Sequence, residues 1–195
     1  MLLKFIKVFV SKKPPFCRAT LERYKMDYHY WDSENYAIIP GFSTYCVTDD
    51  GKVFNVKTGR EMVLSPTLQG DLSVGMMKEG IQYRRSVKVL VAEMFVDGQT
   101  PVFNTPMLLD GDKHNLRADN IVWRPRWFAV KYARQFENPY PDYYYYGPIF
   151  DVVSSTQYNS ILEAAMLNGL LCNDIYYSIT NETHVFPSGE RFVLI

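Results

Sequence analysis

Residues that could carry out hydrolytic chemistry are concentrated in one segment, residues 107–127. The segment contains one histidine and several oxygen-bearing side chains, namely His114, Asp110, Asp112, Asn115 and Asn120. An imidazole can take a proton from water, and carboxylate and amide oxygens can bind a divalent cation. The set is loosely spaced, so a metal-dependent site is only one interpretation. The other, which we favour, is that His114 and Asn115 shape a turn and cap the helix that follows.

Other catalytic chemistries have no support in the sequence. His29 and His184 lie outside this segment and have no ligand spacing, so no Ser/His/Asp set can be argued. Neither of the phosphate-binding patterns GxxxxGK[ST] and GxGxxG is present. Cys17, Cys46 and Cys172 lie far apart without a CxxC pair, which argues against a disulfide framework and a zinc ribbon. We therefore expect free thiols, no cofactor and no small-molecule substrate.

Composition and charge limit the remaining possibilities. The chain has 195 residues, of which 47% are hydrophobic and 22% charged, so it can bury a sizeable core. Its 21 basic and 21 acidic residues cancel, which excludes a highly basic nucleic-acid coat. By segment, however, the net charge is +2 for residues 1–75, +4 for residues 76–135 and −6 for residues 136–195. Any DNA contact should therefore lie in the middle segment, while the acidic C-terminal segment should face protein.

Two β-hairpins and a helix are predicted upstream of the polar segment. A turn residue pair ending in glycine between apolar alternating runs is a strong hairpin signal. The predicted hairpins pair residues 45–47 with 53–56 around Asp50-Gly51, and residues 72–77 with 82–86 around Glu79-Gly80. From Val87 the apolar residues change to helical spacing, and Asp97-Gly98 stops the helix.

The polar segment is predicted to contain a strand and to be followed by helix. The C-terminal segment is predicted to be mainly helical. Residues 107–109 suit a strand, residues 118–123 a short helix, and Pro125 the first position of a helix that extends to Phe136. Residues 138–148 are a Tyr- and Pro-rich arm. Beyond it, we predict a helix over residues 160–167, capped by Asn159 or Ser160, and a break at Gly169. A second helix extends from an Asn173 cap to Ile179, which gives the local shape of a helix-turn-helix. A strand over residues 185–194 follows.

Three stretches together resemble the HNH homing endonucleases of phages: PGFSTYCVTDDGKVFNV, YRRSVKVLVAEMFVDG and MLLDGDKHNLRADNIVW. In that family a small modular β-domain precedes a ββα-metal nuclease motif. The C-terminal stretch SILEAAMLNGLLCNDIYYSITN resembles the helix-turn-helix repeat that often follows. The similarity covers about residues 36–195. It implies an α+β fold and an interaction with duplex DNA.

The catalytic positions of that family are not matched. In the family, a metal-binding Asp or Asn and then a general-base His precede the Asp-Gly turn. Here Met107 and Leu108 occupy these positions, and neither can take a proton or bind Mg²⁺. Asn115 and Asn120 match the mid-loop and helix asparagines at best, and Lys88 stands where the family often has another histidine. The resemblance therefore implies vestigial positions at Met107, Leu108, Asn115 and Asn120, without catalysis and without a metal.

Two sets of residues are candidates for contacts with partners, one with DNA and the other with protein. Basic residues of the middle segment could neutralise phosphates, and these are Arg84, Arg85, Lys88, Lys113, Arg117, Arg124, Arg126, Lys131 and Arg134. A solvated helix face is the alternative for them. Aromatic residues of the arm could contact a phage or host protein, and these are Tyr140, Tyr143, Tyr144, Tyr145 and Tyr146. The second helix of the C-terminal module has no Arg or Lys, so we expect it to contact protein rather than DNA.

These observations predict four regions and three functions. Residues 1–35 are an extension with one strand (residues 2–10), 36–136 a β-hairpin and degenerate HNH-like domain, 137–149 a linker arm, and 150–195 a helix-turn-helix-like module with a terminal strand.

We expect a catalytically inactive phage protein that binds DNA as a regulator or accessory factor. The alternatives are a virion or complex subunit and, third, a metal-dependent nickase that uses His114. The segment LLKFIKVFV is too short to span a bilayer and no cleavage site follows it, so we expect a protein of the host cytoplasm or of a particle assembled there.

Overall fold

The structure is a computed structural model that describes residues 35–137 and 140–195. The strand predicted over residues 2–10, and Cys17 and His29, lie outside the described residues. Within the described part, small antiparallel sheets alternate with four α-helices, which confirms the α+β class. None of these helices combines the length and apolar character needed to cross a membrane.

The N-terminal half of the described chain consists of two three-stranded antiparallel sheets and a helix. Both predicted hairpins are confirmed, as β2–β3 and β5–β6. The elements are β1 (Tyr36–Ile38), β2 (Tyr45–Thr48), β3 (Val53–Asn55), β4 (Leu64–Pro66), β5 (Leu72–Lys78), β6 (Ile81–Ser86) and helix α1 (Val87–Phe95). Apolar residues of both sheets and of α1 form the main core, among them Val47, Val53, Val74, Leu90 and Val91.

The polar segment folds as a hairpin followed by a helix, the ββα arrangement. Strand β7 (Thr105–Leu108) pairs antiparallel with β8 (Ile121–Arg124), and helix α2 (Arg126–Arg134) follows directly. The short helix predicted over residues 118–123 is wrong: only Ala118–Asn120 forms a 3-10 turn. Because the next residues alternate between buried and half-buried positions and are β-branched or aromatic, they extend as β8 instead. Pro125 lies one position before the helix, at its N-cap.

The C-terminal module places two helices on a small sheet of strand order β10-β9-β11. Its elements are a 3-10 turn (Asp142–Tyr145), β9 (Ile149–Asp151), β10 (Thr156–Tyr158), α3 (Ile161–Asn168), α4 (Cys172–Asn181) and β11 (Phe192–Leu194). The Ser160 hydroxyl caps α3 by accepting from the Glu163 N–H, and Gly169 ends it in the left-handed conformation with φ 62°.

Two C-terminal predictions are wrong in detail. Leu171, not Asn173, is the N-cap residue of α4, and the Asn173 side chain instead accepts from the hydroxyl of Tyr143. The predicted terminal strand is confined to β11. The preceding residues turn back on themselves: Val185 pairs with Glu190 in an isolated bridge across a tight turn that contains Pro187 and Gly189.

Candidate functional site

The hairpin β7–β8 places Met107 and Leu108 in the protein interior. Met107 is 4% exposed and packs against Phe128, Tyr132 and Leu171. Leu108 is 7% exposed and belongs to the main core. Adjacent residues of a strand point to opposite faces, so the two side chains join two different apolar clusters. These positions, where the resemblance implies a metal ligand and a general base, are used for packing.

The loop between the two strands is closed by a network of amide and carboxylate groups. Asn120 donates through Nδ2 to Oδ1 of Asp110 (2.8 Å) and to the carbonyl oxygen of Asn115 (2.9 Å). Its Oδ1 accepts from the Asp110 N–H at 3.2 Å. The Asn115 side chain donates to the other oxygen of Asp110 at 2.6 Å. The two asparagines therefore hold both carboxylate oxygens of Asp110 and fix the turn, which is a structural role.

His114 lies apart from this network, on the exposed side of the loop. Its backbone N–H donates to Oδ1 of Asp112 at 2.9 Å, and its ring Nδ1 lies 3.3 Å from the same oxygen. The side chain of His114 is 73% exposed and that of Asp112 is 59% exposed. The histidine is thus a residue of an open turn, and hydrogen bonds tie it to a neighbour two residues away.

The donors around the hairpin do not fit the divalent metal that the HNH family binds at this motif. The Met107 and Leu108 side chains have no oxygen or nitrogen, and Asp110 already accepts from two amides. Within residues 35–137 and 140–195, no three His, Cys, Asp or Glu residues are grouped so that they could hold a metal ion. We therefore derive no chemistry through a metal at this loop.

The C-terminal module packs directly on the ββα hairpin at the Met107 position. A Cβ atom on Gly169 would lie 2.8 Å from Leu109 Cδ2 and 3.4 Å from Met107 Cε. The turn between α3 and α4 thus lies close against Leu109 and Met107, and the positive φ of Gly169, 62°, favours glycine at this position. Leu171, in the same turn, completes the apolar cluster with Met107 and Phe128. The surface of the hairpin on this side is covered by the chain itself.

Two polar side chains of the ββα motif secure this contact. Arg124 donates through Nη2 to the carbonyl oxygens of Asn168 (3.2 Å) and Gly169 (3.4 Å), at the C-terminal end of α3. A cation at that end also interacts favourably with the helix dipole. Tyr132 donates through its hydroxyl to the carbonyl oxygens of Leu109 and Ala165. These bonds connect strand, helix and module.

Gln135 adds a reciprocal pair of hydrogen bonds to the same interface. Its Nε2 donates to the carbonyl oxygen of Leu170 at 3.4 Å, and its Oε1 accepts from the Cys172 N–H at 3.1 Å. That N–H is one of the free donors at the start of α4. All these groups are buried, so leaving any of them unpaired would cost about 1–3 kcal/mol.

Burial controls the protonation of the groups at this interface. It raises the pKa of Tyr132 well above its ordinary value, and it lowers the pKa of the Arg124 guanidinium. It also raises the pKa of the Cys172 thiol from 9.0 to about 12. Tyr132 is therefore a hydrogen-bond donor over the whole physiological pH range, and Cys172 is a neutral thiol without nucleophilic character.

Five of the nine candidate DNA-binding residues have partners within the chain. Arg85, Lys88 and Arg117 form ion pairs, with Glu93 (3.3 Å), Asp71 (3.1 Å) and Asp119 (2.9 Å) respectively. The two others donate to backbone carbonyl oxygens: Lys113 to that of Gln69, and Arg124 as described above. Arg124 is thus a positioning residue of the module interface.

The four remaining candidates have no ion pair among the described residues. Three of them, Arg126, Lys131 and Arg134, lie on the exposed side of helix α2. The fourth, Arg84, lies on β6 in a different sheet and lines an open groove there. Helix α2 is thus the element on which the structure brings unpaired cations together.

The tyrosine arm is part of the C-terminal module rather than a free linker. Tyr144 is buried and packs in the module core, and Tyr140 and Tyr143 are packed against it. Among these five tyrosines, Tyr145 and Tyr146 are exposed, at 60% and 50%. Of the five tyrosines predicted to contact a partner, these two are therefore the ones presented on the surface.

Several residues of the module interface were not identified from the sequence. Phe128, Tyr132 and Phe136 recur every four residues, which signals an apolar stripe on a helix. The sequence has no signal for what covers that stripe, because Leu171 lies 35 residues or more beyond it in the chain. The role of Gln135 was missed for the same reason.

Comparisons with known proteins add one solved structure. No family model matches the chain, and no curated protein matches it. The chain is similar to a solved structure described as "DNA binding and cleavage by the HNH homing endonuclease I-HmuI", with 20% sequence identity and a TM-score of 0.49. The similarity covers 82% of this chain and 97% of the other. At such low identity and TM-score, the function of this chain has to be inferred from its own residues.

Proposed function

We propose that this chain is an HNH-endonuclease-like phage protein that binds duplex DNA without cleaving it, as a regulator or accessory factor in the host cytoplasm. The observation that carries the proposal is the burial of Met107 and Leu108 at the two positions where the family resemblance implies a metal ligand and a general base. A chain that retains the ββα arrangement but uses these positions for packing has no means to activate water there.

The remaining polar residues of the hairpin offer no substitute. Asp110 is held by two asparagines, and the exposed His114 hydrogen-bonds to Asp112. The covering of Met107 by Gly169 and Leu171 removes the space that a phosphate would need on that side. All three features favour a protein that binds and does not cut.

The DNA contact is assigned to the exposed face of α2. Arg126, Lys131 and Arg134 are exposed, and no salt bridge among the described residues engages them. Cations of this kind bind phosphates through their charge and release counterions, so the affinity should fall steeply as salt rises. We expect binding that does not depend on sequence and is weak at physiological ionic strength.

The test compares two triple variants of the full chain in duplex DNA binding, measured by fluorescence anisotropy over a range of salt. Arg126→Gln/Lys131→Gln/Arg134→Gln removes three charges and should lower the slope of log affinity against log salt by about 2.7. The matched control, Arg126→Lys/Lys131→Arg/Arg134→Lys, keeps all three charges and should keep the slope. A wild-type chain that shows no binding, or no salt slope, contradicts the proposal.

A second candidate function is a subunit that holds protein partners through the C-terminal module. It is favoured by the net charge of −6 over residues 136–195 and by the exposed rings of Tyr145 and Tyr146. Purified particles or complexes that retain the chain, and that lose it on Tyr145→Ala/Tyr146→Ala, would support this function. A stable monomer that is absent from them would count against it.

A further inference from the structure

A cluster of exposed aromatic rings lies where the C-terminal module meets helix α2. Trp127 is 53% exposed and Phe186 is 44% exposed. Their ring centroids are 5.6 Å apart with an interplanar angle of 30°. Phe103 stacks on Phe186, at 6.4 Å and 20°. We name Phe103, Phe186 and Trp127 the aromatic ladder; its three rings come from three distant parts of the sequence.

The buried ring of Phe128 packs against the ladder and fixes its geometry. Phe128 is fully buried, and its centroid lies 5.6 Å from that of Trp127 and 5.8 Å from that of Phe186. Aromatic pairs at such distances are preferred arrangements. The ladder is thus anchored from below, while about half the surface of Trp127 and of Phe186 stays open to solvent.

Cations border the ladder on helix α2. Lys131 places its Nζ 5.4 Å from the centroid of the Trp127 ring. Arg126 precedes Trp127 directly, and Arg134 lies one turn beyond Lys131. The partly buried carboxylate of Asp174 interacts with Lys131 through its charge. An open aromatic surface is therefore combined with three cations that form no salt bridge within the described part of the chain.

This combination has a specific partner chemistry. Exposed aromatic side chains stack on nucleobases, and adjacent cations hold the phosphates of the same strand. In a paired duplex the base faces are stacked on each other and are not accessible, so only unpaired or flipped bases can use such a surface.

We propose that Trp127 and Phe186, together with Lys131, form a stacking site for unpaired bases of single-stranded or locally opened DNA. The site rests on the proposed function, since it lies on the same helix as the phosphate contacts, and it adds a preference that duplex binding does not imply. With this site the protein binds preferentially to DNA whose bases are unpaired.

The test uses the full chain and two labelled probes: an oligothymidylate of about twelve nucleotides and a duplex of the same length. Trp127→Ala should weaken oligothymidylate binding by about 5- to 150-fold, which corresponds to the loss of one stacked base. Duplex binding should change less than about twofold, because the charges remain. Trp127→Phe keeps a ring and should restore most of the affinity.

Tyr177→Ala is the matched control, because Tyr177 is 58% exposed and lies on helix α4 outside the ladder. It should leave binding of both probes unchanged. Thermal unfolding of each variant checks that it is folded. Quenching of tryptophan fluorescence by oligothymidylate, lost in Trp127→Phe, provides a second readout that does not depend on affinity.

The outcomes separate this inference from the proposed function. If Trp127→Ala leaves oligothymidylate binding unchanged, or lowers the binding of both probes equally, the stacking site is wrong. If the wild type binds the duplex with a salt slope but not the oligothymidylate, only the stacking site fails. If the chain binds neither probe, the proposed function fails with it, and an exposed ladder of this kind would then indicate a protein partner.

Discussion

Asn120 and Asp110 are bound to each other twice, through the Asn120 amide to Asp110 Oδ1 at 2.8 Å and through the Asp110 N–H to Asn120 Oδ1 at 3.2 Å. The pair closes the loop of the ββα hairpin from within the chain. Every polar side-chain atom of the two residues has a hydrogen-bond partner there.

Removing this pair should destabilise the whole domain. Asn120→Ala removes two donated hydrogen bonds and one accepted bond at a residue that is only 9% exposed, and it leaves the Asp110 N–H without its acceptor. We expect a loss of about 2–4 kcal/mol in the free energy of unfolding. Chemical denaturation measures it. The control Asn104→Ala removes an exposed amide and should cost less than about 1 kcal/mol; equal losses would refute the role of Asn120.

Substitution of Gly169 tests the contact between the module and β7. Gly169→Ala forces a side chain into the left-handed region, at φ 62°, and places its Cβ 2.8 Å from Leu109 Cδ2. Gly80→Ala meets the same backbone penalty at φ 79° but has no neighbour within 4 Å. We expect about 1–2 kcal/mol for Gly80→Ala and up to about 1 kcal/mol more for Gly169→Ala, because the Leu109 side-chain end that the new Cβ meets can move. A smaller loss for Gly169→Ala than for Gly80→Ala would contradict the close approach of this turn to Leu109 and Met107.

Met107 provides a test of the packing at the vestigial position. Met107→Asp buries a carboxylate among Phe128, Tyr132 and Leu171 and should cost about 3–5 kcal/mol at neutral pH. Met107→Leu keeps the volume and the apolar character and should cost less than about 1.5 kcal/mol. Urea denaturation of both variants distinguishes a packed position from an open site, in which an aspartate would be tolerated.

The stability of the chain should fall as the pH rises above 9. The pKa of Cys172 is raised from 9.0 to about 12, so above pH 9 the unfolded chain loses a proton that the folded chain retains. The unfolded state then binds fewer protons, and the free energy of unfolding decreases by up to about 1.4 kcal/mol per pH unit until about pH 12.

Cys172→Ala is the control for this pH dependence. Between pH 9 and pH 10 the variant should lose most of the slope, because the tyrosines with raised pKa values, Tyr132, Tyr143 and Tyr144, contribute only above their ordinary value of 10.0. Denaturation at a series of pH values measures the slope. A slope that is unchanged in Cys172→Ala would show that other groups cause it.

Local signals predicted two hairpins and the α-helices, whereas the strands β1, β4, β9 and β10 and the contacts between distant elements were not predicted. The turns at Asp50-Gly51 and Glu79-Gly80 define their hairpins within a few residues, and both hairpins form as expected. Strand β8 was missed because its existence depends on pairing with β7 across a loop whose closure by Asn120 is a tertiary feature.

In the candidate site too, the residue types can be read from the sequence, whereas the contacts between distant residues cannot. The identity of Met107 and Leu108 can be read from the sequence, but the burial of Met107 depends on Gly169 and Leu171, more than 60 residues later, and Leu108 is buried in the main core. Arg124 has the charge of a DNA-binding residue and instead binds two carbonyl oxygens of the module. Charge alone does not distinguish these roles, because both need an arginine beside a negative or dipolar acceptor.

The central claim is that the chain binds DNA and does not cut it. The most direct measurement incubates the full chain with supercoiled plasmid in Mg²⁺ and in Mn²⁺, at low salt and at protein concentrations that fully shift the DNA, and follows both complex formation and nicking. We predict a salt-sensitive complex and no conversion to nicked circles in either metal. Metal-dependent nicking that disappears in His114→Ala would contradict the claim and identify His114 as a catalytic base.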